Sequence, residues 1–264
     1  MKTIKGISDL VSEYDLFIVD AWGVLHEGAR PFEHVEETLK RLKALGKTVI
    51  IVTNSPSRKR NTIKDLDERG ISRDLYSDLV SSGEISYLLM EQRLREKTLP
   101  KKCFFLGQEK HLHLTEGLDV RLVSDPEEGS FFLNTGPKNP SDSLDLYEDL
   151  LATACARSLE MICVNPDRIS IFQGQRRLCA GMLAELYEKL GGRVSSIGKP
   201  FPSIYRHILK GVSQRAVAIG DSLETDIQGG VRAQIDTILV FTGVTTKEMP
   251  LHPEPTYCME ELRW

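Results

Sequence analysis

The feature that most constrains this chain is a series of short apolar runs, each closed by a small polar or acidic residue. The runs that end before Asp20, Thr53 and Asp221 are of this kind. Short apolar runs that alternate with helical periodicity are typical of parallel strands joined by crossover helices. The helical segments of the first part of the chain are 32–45, 58–69 and 81–95. Because the carboxyl ends of parallel strands lie at one edge of a sheet, we expect these polar residues to meet in one crevice.

A second α/β unit is predicted in the middle of the chain. It contains apolar runs typical of strands and segments of helical periodicity, namely 102–106, 130–134, 141–157, 160–164 and 177–190. We expect this unit to be inserted into the first one. The predicted fold is therefore α/β, with a Rossmann-like parallel-sheet core formed by residues 1–96 and 194–264 and an inserted α/β domain formed by residues 97–193.

The composition excludes several classes of partner. The chain has 264 residues, of which 41% are hydrophobic, and its net charge of −4 provides no basic field for nucleic acid or an anionic membrane. Five cysteines without C-x-x-C spacing argue against a disulfide framework or a zinc site and fit a reducing cytosol. The chain shows neither an apolar run of membrane-span length nor the apolar core of a signal peptide. We therefore expect a cytoplasmic protein that acts on a small molecule.

Polar residues after the apolar runs are suited to binding a phosphate and a metal ion. Thr53 and Asn54 place a hydroxyl and backbone N–H groups directly after a strand, where a phosphate can bind. Asp221 and Asp226 open a predicted helix and offer the hard oxygen ligands that Mg²⁺ prefers. Each group has a structural alternative, because an acid after a strand is also a common helix cap and Thr-Asn-Ser is ordinary turn chemistry.

The order of these residues resembles the motifs of the haloacid dehalogenase (HAD)-type phosphohydrolases across nearly the whole chain. The inserted unit resembles the type-2 cap of that family. Within the HAD family, the chain resembles subclass IIA, the NagD-like and p-nitrophenyl phosphatase-like enzymes. The stretches that carry this resemblance are Gly23-Val24-Leu25, Thr53-Asn54-Ser55, Asn165-Pro166-Asp167, Gly198-Lys199-Pro200 and Gly220-Asp221.

The resemblance implies a Mg²⁺-dependent phosphatase of small phosphorylated metabolites. It implies that Asp20 attacks phosphorus to form an aspartyl-phosphate and that Lys199 offsets the negative charge. It further implies that Thr53 and the N–H of Asn54 bind the phosphoryl group. The implied metal ligands are Asp20, the backbone carbonyl of Trp22, Asp221 and Asp226. The implied specificity residues of the cap are Asn165 and Asp167, which alternatively form a plain Asn-Pro-Asp turn.

The chain departs from the family pattern at Trp22, where the family has a second aspartate that serves as the general acid. General acid–base help is worth about 10²–10⁴-fold in rate. Its loss predicts a preference for substrates with good leaving groups. His26 and Glu27 follow the motif and are candidate proton donors, whereas His111 and His113 have strand-like spacing and are expected at the surface.

Two other functions are compatible with parts of the pattern. A HAD-fold protein with weak or no turnover could bind a phosphate or a metabolite, but the presence of Asp20, Lys199, Asp221 and Asp226 together argues against it. A receiver-type signalling domain also uses Asp, Thr, Lys and Mg²⁺. Receivers place the acidic metal pair after the first strand, whereas here that pair comes last, and the receiver fold leaves the large insertion unexplained.

Overall fold

The chain forms two parallel sheets with helices against them, in a computed structural model that describes residues 1–172 and 174–264. The strands are β1 (Lys2–Thr3), β2 (Leu16–Asp20), β3 (Thr48–Thr53), β4 (Asp78–Ser81), β5 (Lys102–Leu106), β6 (Arg121–Val123), β7 (Phe131–Asn134), β8 (Glu160–Cys163), β9 (Ile169–Phe172), β10 (Gln175–Leu178), β11 (Arg193–Ser196), β12 (Ala216–Gly220), β13 (Asp236–Val240) and β14 (Tyr257–Met259). The α-helices are α1 (Val35–Ala44), α2 (Lys59–Glu68), α3 (Ser82–Arg95), α4 (Glu148–Ala156), α5 (Ala180–Lys189), α6 (Pro202–Leu209) and α7 (Gln228–Ala233). Shorter helical turns are Ile7–Asp9, Arg73–Leu75, Glu109–Leu114, Pro126–Glu128, Leu144–Tyr147 and Leu223–Ile227.

The larger sheet has seven parallel strands in the order β1-β14-β13-β12-β2-β3-β4. The interior strand β2 is buried on both faces, which explains why its sequence is continuously apolar rather than alternating. Phe17 and Val19 pack into the hydrophobic cluster on one face, and Leu16 and Ile18 pack into the cluster on the other. The sheet is therefore the middle layer of a three-layer unit, and its interior strand β2 ends at Asp20.

The smaller sheet has five parallel strands in the order β11-β8-β7-β5-β6. Phe104, Phe132 and Tyr187 pack together in its core, with ring centroids 4.9 and 5.7 Å apart. An antiparallel hairpin, β9–β10, extends from this unit. These two sheets confirm the predicted α/β class, with a parallel-sheet core and an inserted α/β unit.

Several predicted boundaries differ from the observed ones. β11 pairs with β8 in the smaller sheet, so residues 194–196, which the sequence analysis places in the core, pair with the inserted unit. The predicted helix over 177–190 begins only at Ala180, because β10 occupies its first residues. The predicted helix over 141–157 is a 3₁₀ turn followed by α4.

His111 and His113 were predicted at the surface on the basis of their spacing, and this prediction is wrong. Both lie in the helical turn Glu109–Leu114 and are buried. All five cysteines are free. Within residues 1–172 and 174–264, none of the helices has both the length and the apolar character needed to cross a membrane.

Candidate active site

Three of the candidate site residues predicted from the sequence lie at the carboxyl edge of the larger sheet. Asp20 is the last residue of β2, and Thr53 is the last residue of the neighbouring strand β3. On the other side of β2, β12 ends at Gly220, immediately before Asp221. The parallel register brings these strand ends to the same level, so residues separated by up to about two hundred positions meet in one crevice.

Lys199 connects two of the acidic residues at the bottom of this crevice. Its Nζ atom lies 2.6 Å from Oδ1 of Asp20 and 2.7 Å from Oδ1 of Asp226. The side chain of Lys199 is only 2% exposed. Burial alone would lower the pKa of Lys199, but Asp20 and Asp226 raise it well above its usual value. The ammonium group therefore stays charged and neutralises part of the surrounding negative charge.

Asp20, Asp221 and Asp226 form a buried acidic cluster, in which one carboxylate oxygen of each residue lies within 4.8 Å of those of the other two. Burial, and then repulsion from Asp226, raises the pKa of Asp221 to about 7 and that of Asp20 well above its usual range. Lys199 opposes the shift of Asp20 only in part. Three close carboxylates with one ammonium leave a negative excess, so this set of oxygens fits a divalent cation.

Two glycines and a backbone amide hold Asp221 in place. A Cβ atom on Gly23 would lie 2.5 Å from Cγ of Asp221, and one on Gly243 would lie 1.8 Å from Oδ2 of the same residue. Gly23 also has a positive φ of 84°, which side chains disfavour. The backbone N–H of Val244 donates to Oδ2 of Asp221 at 2.6 Å. The sequence analysis identified Gly23 but missed the contribution of the loop after β13.

Asn54 links the strand end of β3 to the lysine segment and to the inserted unit. Its Oδ1 accepts from the backbone N–H of Lys199 at 2.7 Å, and its Nδ2 donates to the carbonyl of Lys199 at 2.9 Å. The same Nδ2 donates to Oδ1 of Asp167 at 2.8 Å. Thr53 accepts from the N–H of Ser55 through its hydroxyl at 3.1 Å, which shapes the loop that follows.

Trp22 also contacts the inserted unit, and its indole N–H is fully engaged there. Nε1 of Trp22 donates to the carbonyl of Ile171 in β9 at 2.8 Å. The indole stacks on Phe172 with ring centroids 6.0 Å apart and meets the edge of His26 at 5.2 Å. A Cβ atom on Gly28 would lie 2.7 Å from both the Trp22 and the Phe172 rings, so a glycine is needed at this position. The side chain that stands where the family has an acid therefore joins the two units.

The two candidate proton donors near the motif differ in their surroundings. Burial, with a smaller effect from Arg69, lowers the pKa of His26 to about 4, so its imidazole is neutral near pH 7. Nδ1 of His26 accepts from the N–H of Gly28 at 3.0 Å. Glu27 is exposed to solvent. Neither arrangement favours proton donation in the crevice.

The predicted specificity residues of the cap lie at its contact with the core. Besides accepting from Asn54, Asp167 donates its backbone N–H to Oδ1 of Asn165 at 3.1 Å. This bond belongs to the Asn-Pro-Asp turn. Asp167 is therefore part of that turn and also lines the cleft, so the two alternatives do not exclude each other. Burial raises the pKa of Asp167 to about 6, against the opposing effect of Lys199.

Two cavities open beside this turn. The larger, of about 610 Å³, is lined by Asp20 and Asp221 and extends towards the loop after β13. The smaller, of about 390 Å³, lies between α2 and the inserted unit and includes His111 and His113 in its wall. The residues that line both cavities are Trp22, Thr53, Asp167 and Ser170.

Comparison with known proteins defines the class to which this chain belongs. Residues 17–121 match the family of haloacid dehalogenase-like hydrolases, and residues 196–264 match a HAD-hydrolase-like family. The chain is 30% identical to chronophin of Homo sapiens over 92% of its own length and 86% of that protein. It is 27% identical to a 4-nitrophenylphosphatase of Schizosaccharomyces pombe, over 98% of its own length and 95% of that protein. A crystal structure of a haloacid dehalogenase-like hydrolase from Brucella suis 1330 superposes with a TM-score of 0.89 at 29% identity, covering 98% of this chain and 99% of that one.

The chain therefore belongs to the haloacid dehalogenase-like hydrolases. The similarity to chronophin and to the 4-nitrophenylphosphatase confirms the predicted subclass IIA and the predicted class of enzyme, a HAD-type phosphatase.

Proposed function

We propose that this protein is a Mg²⁺-dependent phosphohydrolase that cleaves small phosphorylated metabolites through an aspartyl-phosphate on Asp20. The observation that carries the proposal is the buried contact of Lys199 with both Asp20 and Asp226 at the end of β2. A nucleophilic carboxylate beside an ammonium can accept a phosphoryl group whose charge is then offset. The proposed phosphate contacts are the hydroxyl of Thr53 and the N–H of Asn54.

The acidic cluster supports the metal requirement. Its proposed ligands are Asp20, the backbone carbonyl of Trp22, Asp221 and Asp226. A divalent cation held by them would offset the negative charge of the phosphoryl group beside these carboxylates. We propose that residues 97–196 act as the cap, with Asn165 and Asp167 at its contact with the leaving group, since β11 belongs to the smaller sheet.

The engagement of Trp22 supports a preference for substrates with good leaving groups. Its indole N–H donates to Ile171 and is in any case far too weak an acid to protonate an alkoxide. The same observation favours a second candidate function, a HAD-fold protein that binds a phosphorylated metabolite with weak or no turnover.

A screen of aryl, acyl and alkyl phosphates, with Mg²⁺ and with EDTA, tests the proposal. We expect Mg²⁺-dependent release of phosphate, fastest from p-nitrophenyl phosphate and acetyl phosphate. Binding of vanadate without release of phosphate from any compound would support the second candidate instead.

A further inference from the structure

The proposed phosphatase needs a source for the proton that the leaving group takes up, and the usual position cannot supply it. Trp22 stands at that position, and its N–H bonds to Ile171 in the hairpin. Alkoxide leaving groups are poor without protonation, and a positioned acid contributes about 10²–10⁴-fold. If the proposed function holds, another group beside the nucleophile has to serve.

Most titratable side chains near the nucleophile are unsuitable donors. Burial lowers the pKa of His26 to about 4 and that of His111 to about 3, so both are neutral imidazoles at pH 7. The N–H of a neutral imidazole is a very weak acid. Glu224 lines the larger cavity, but its side chain is 68% exposed and lies 3.5 Å from the guanidinium of Arg168. An exposed side chain paired with an arginine is not fixed in the crevice, as a proton donor has to be.

We propose that Asp167, carried by the cap, donates the proton to the leaving-group oxygen and later accepts one from the attacking water. Within residues 1–172 and 174–264, it is the one carboxylate of the inserted unit that lines both cavities beside the nucleophile. Its Oδ1 is held at 2.8 Å by Nδ2 of Asn54, whose neighbour Thr53 ends β3 next to β2. The carboxyl group is therefore fixed to the same loop that is suited to the phosphate.

The surroundings of Asp167 keep a useful fraction of it protonated. Burial raises its pKa to about 6, with Lys199 opposing and Asp226 and Glu224 adding to the rise. The ionisable groups that face it are Lys199, Asp226, Glu224, Asp221, Cys163 and Cys179. An acid with a pKa near the working pH can both give and retake a proton.

The two steps balance in atoms and charge. In the first, an oxygen of Asp20 forms a bond to phosphorus, the bond from phosphorus to the ester oxygen breaks, and the proton of Asp167 passes to that oxygen. In the second, water attacks the phosphorus of the aspartyl-phosphate, the acyl phosphate bond breaks and Asp167 takes up one proton of the water. The products are the alcohol and inorganic phosphate, and Asp167 is protonated again.

Trp22 is a positioning residue in this arrangement. β9 begins at Ile169, two residues after Asp167, and Trp22 anchors that strand at Ile171 and Phe172. The tryptophan thus fixes the segment that carries the proposed acid over the nucleophile. Trp22→Phe keeps an aromatic ring but removes the N–H, so it tests the anchor alone.

The experiment compares an alkyl phosphate with p-nitrophenyl phosphate, whose leaving group needs little protonation. For Asp167→Asn we expect kcat/KM to fall about 10²–10³-fold on the alkyl phosphate and less than about tenfold on the aryl phosphate. Trp22→Phe should lower the alkyl-to-aryl ratio in the same direction by a smaller factor. Asp65→Asn is the matched control, since it removes a carboxylate from the wall of the smaller cavity, which Asp167 also lines, and the ratio should stay within about twofold of the wild type.

The wild-type protein supplies a test that needs no variant. Because protonated Asp167 accumulates as the pH falls through about 6, the alkyl-to-aryl ratio should rise from pH 8 to pH 6 and level off below. Equal losses on both substrates in Asp167→Asn, a pH-independent ratio, or a ratio that changes only in Asp65→Asn would overturn the assignment. Absence of turnover on every phosphate would instead overturn the proposed function and this assignment with it.

Discussion

The charged cluster at the strand ends and the contact of Trp22 with the hairpin differ in how they are built. The cluster consists of Lys199 and its acidic partners and is buried. Two of those partners, Asp20 and Asp221, are placed by the ends of the neighbouring strands β2 and β12 of one sheet. The contact of Trp22 joins a loop of the core to the hairpin of the inserted unit and depends on how the two units are placed. The residues of the cluster follow the family pattern. At Trp22, by contrast, the family's aspartate is replaced by a side chain that binds the inserted unit.

This difference suggests that the attacking group and the proton donor have been separated between two units. In the proposed scheme the core retains nucleophile, ammonium and metal ligands, and the cap supplies the acid. Hydrolysis of aryl phosphates, whose leaving groups need little protonation, should then depend on the core alone. Hydrolysis of alkyl phosphates, whose leaving groups need a proton donor, should depend on closure of the cap as well.

Loss of the proposed nucleophile should have the largest effect. We expect Asp20→Asn to lower kcat on p-nitrophenyl phosphate by at least about 10⁴-fold, because the aspartyl-phosphate can no longer form. Asp15→Asn is the matched control, since Asp15 precedes the same strand but pairs with Lys47 at the surface. Circular dichroism should show that both variants are folded. Wild-type activity in Asp20→Asn would exclude the phosphatase mechanism.

Restoring an acid at position 22 should have the next largest effect, on how the rate depends on the leaving group. At pH 8, where Asp167 is mostly ionised, the wild-type rate should fall steeply as the pKa of the leaving group rises. Trp22→Asp should flatten this dependence and raise the rate on alkyl phosphates by about 10–10²-fold. Removing a packed tryptophan can cost about 3–5 kcal/mol, so thermal unfolding must be measured first. Alkyl phosphates cleaved by the wild type at pH 8 as fast as aryl phosphates would contradict the prediction.

The sequence predicts the first region better than the second for a physical reason. Asp20, Thr53 and Asp221 each follow a continuous apolar run, and strand ends of a parallel sheet meet wherever the helices between them lie. By contrast, the hydrogen bond from Trp22 to Ile171 spans 149 positions and depends on the orientation of the cap. No local pattern encodes that orientation.

The hairpin that makes this contact was missed because its strands have four residues each and carry ambiguous signals. Arg177 and the residues that follow have helical periodicity, so the sequence predicts a helix from residue 177 instead of the second strand of the hairpin. The bond from the N–H of Val244 to Asp221 was missed for another reason. A backbone donor in a loop has no signature in the identity of its side chain.

Removal of one cluster carboxylate should have an intermediate effect, on metal binding. Asp221→Ala should weaken Mg²⁺ binding by about tenfold or more, since hard cations are held by the number and charge of their oxygen ligands. Isothermal titration calorimetry with MgCl₂ measures the change. Glu248→Ala is the control, because Glu248 is an exposed acid in the segment after β13. Unchanged affinity in Asp221→Ala, beside an unchanged control, would place the metal elsewhere.

Movement of the cap should give the smallest effect, a change in X-ray scattering. It tests whether the contact of Trp22 with the hairpin holds the cleft closed. Two compact units linked by two chain crossings usually move relative to each other, so small-angle X-ray scattering should change when Mg²⁺ and vanadate are added, by roughly a few per cent in radius of gyration. Trp22→Phe should enlarge this change, because the free protein loses the bond to Ile171 that holds the hairpin to the core. Trp264→Phe is the matched control, since Trp264 lies against Arg41 of α1 and away from the cap. Identical scattering with and without vanadate, when calorimetry shows that vanadate binds, would mean that the cap does not move relative to the core. Access to the nucleophile would then run through the two cavities without any opening of the cap.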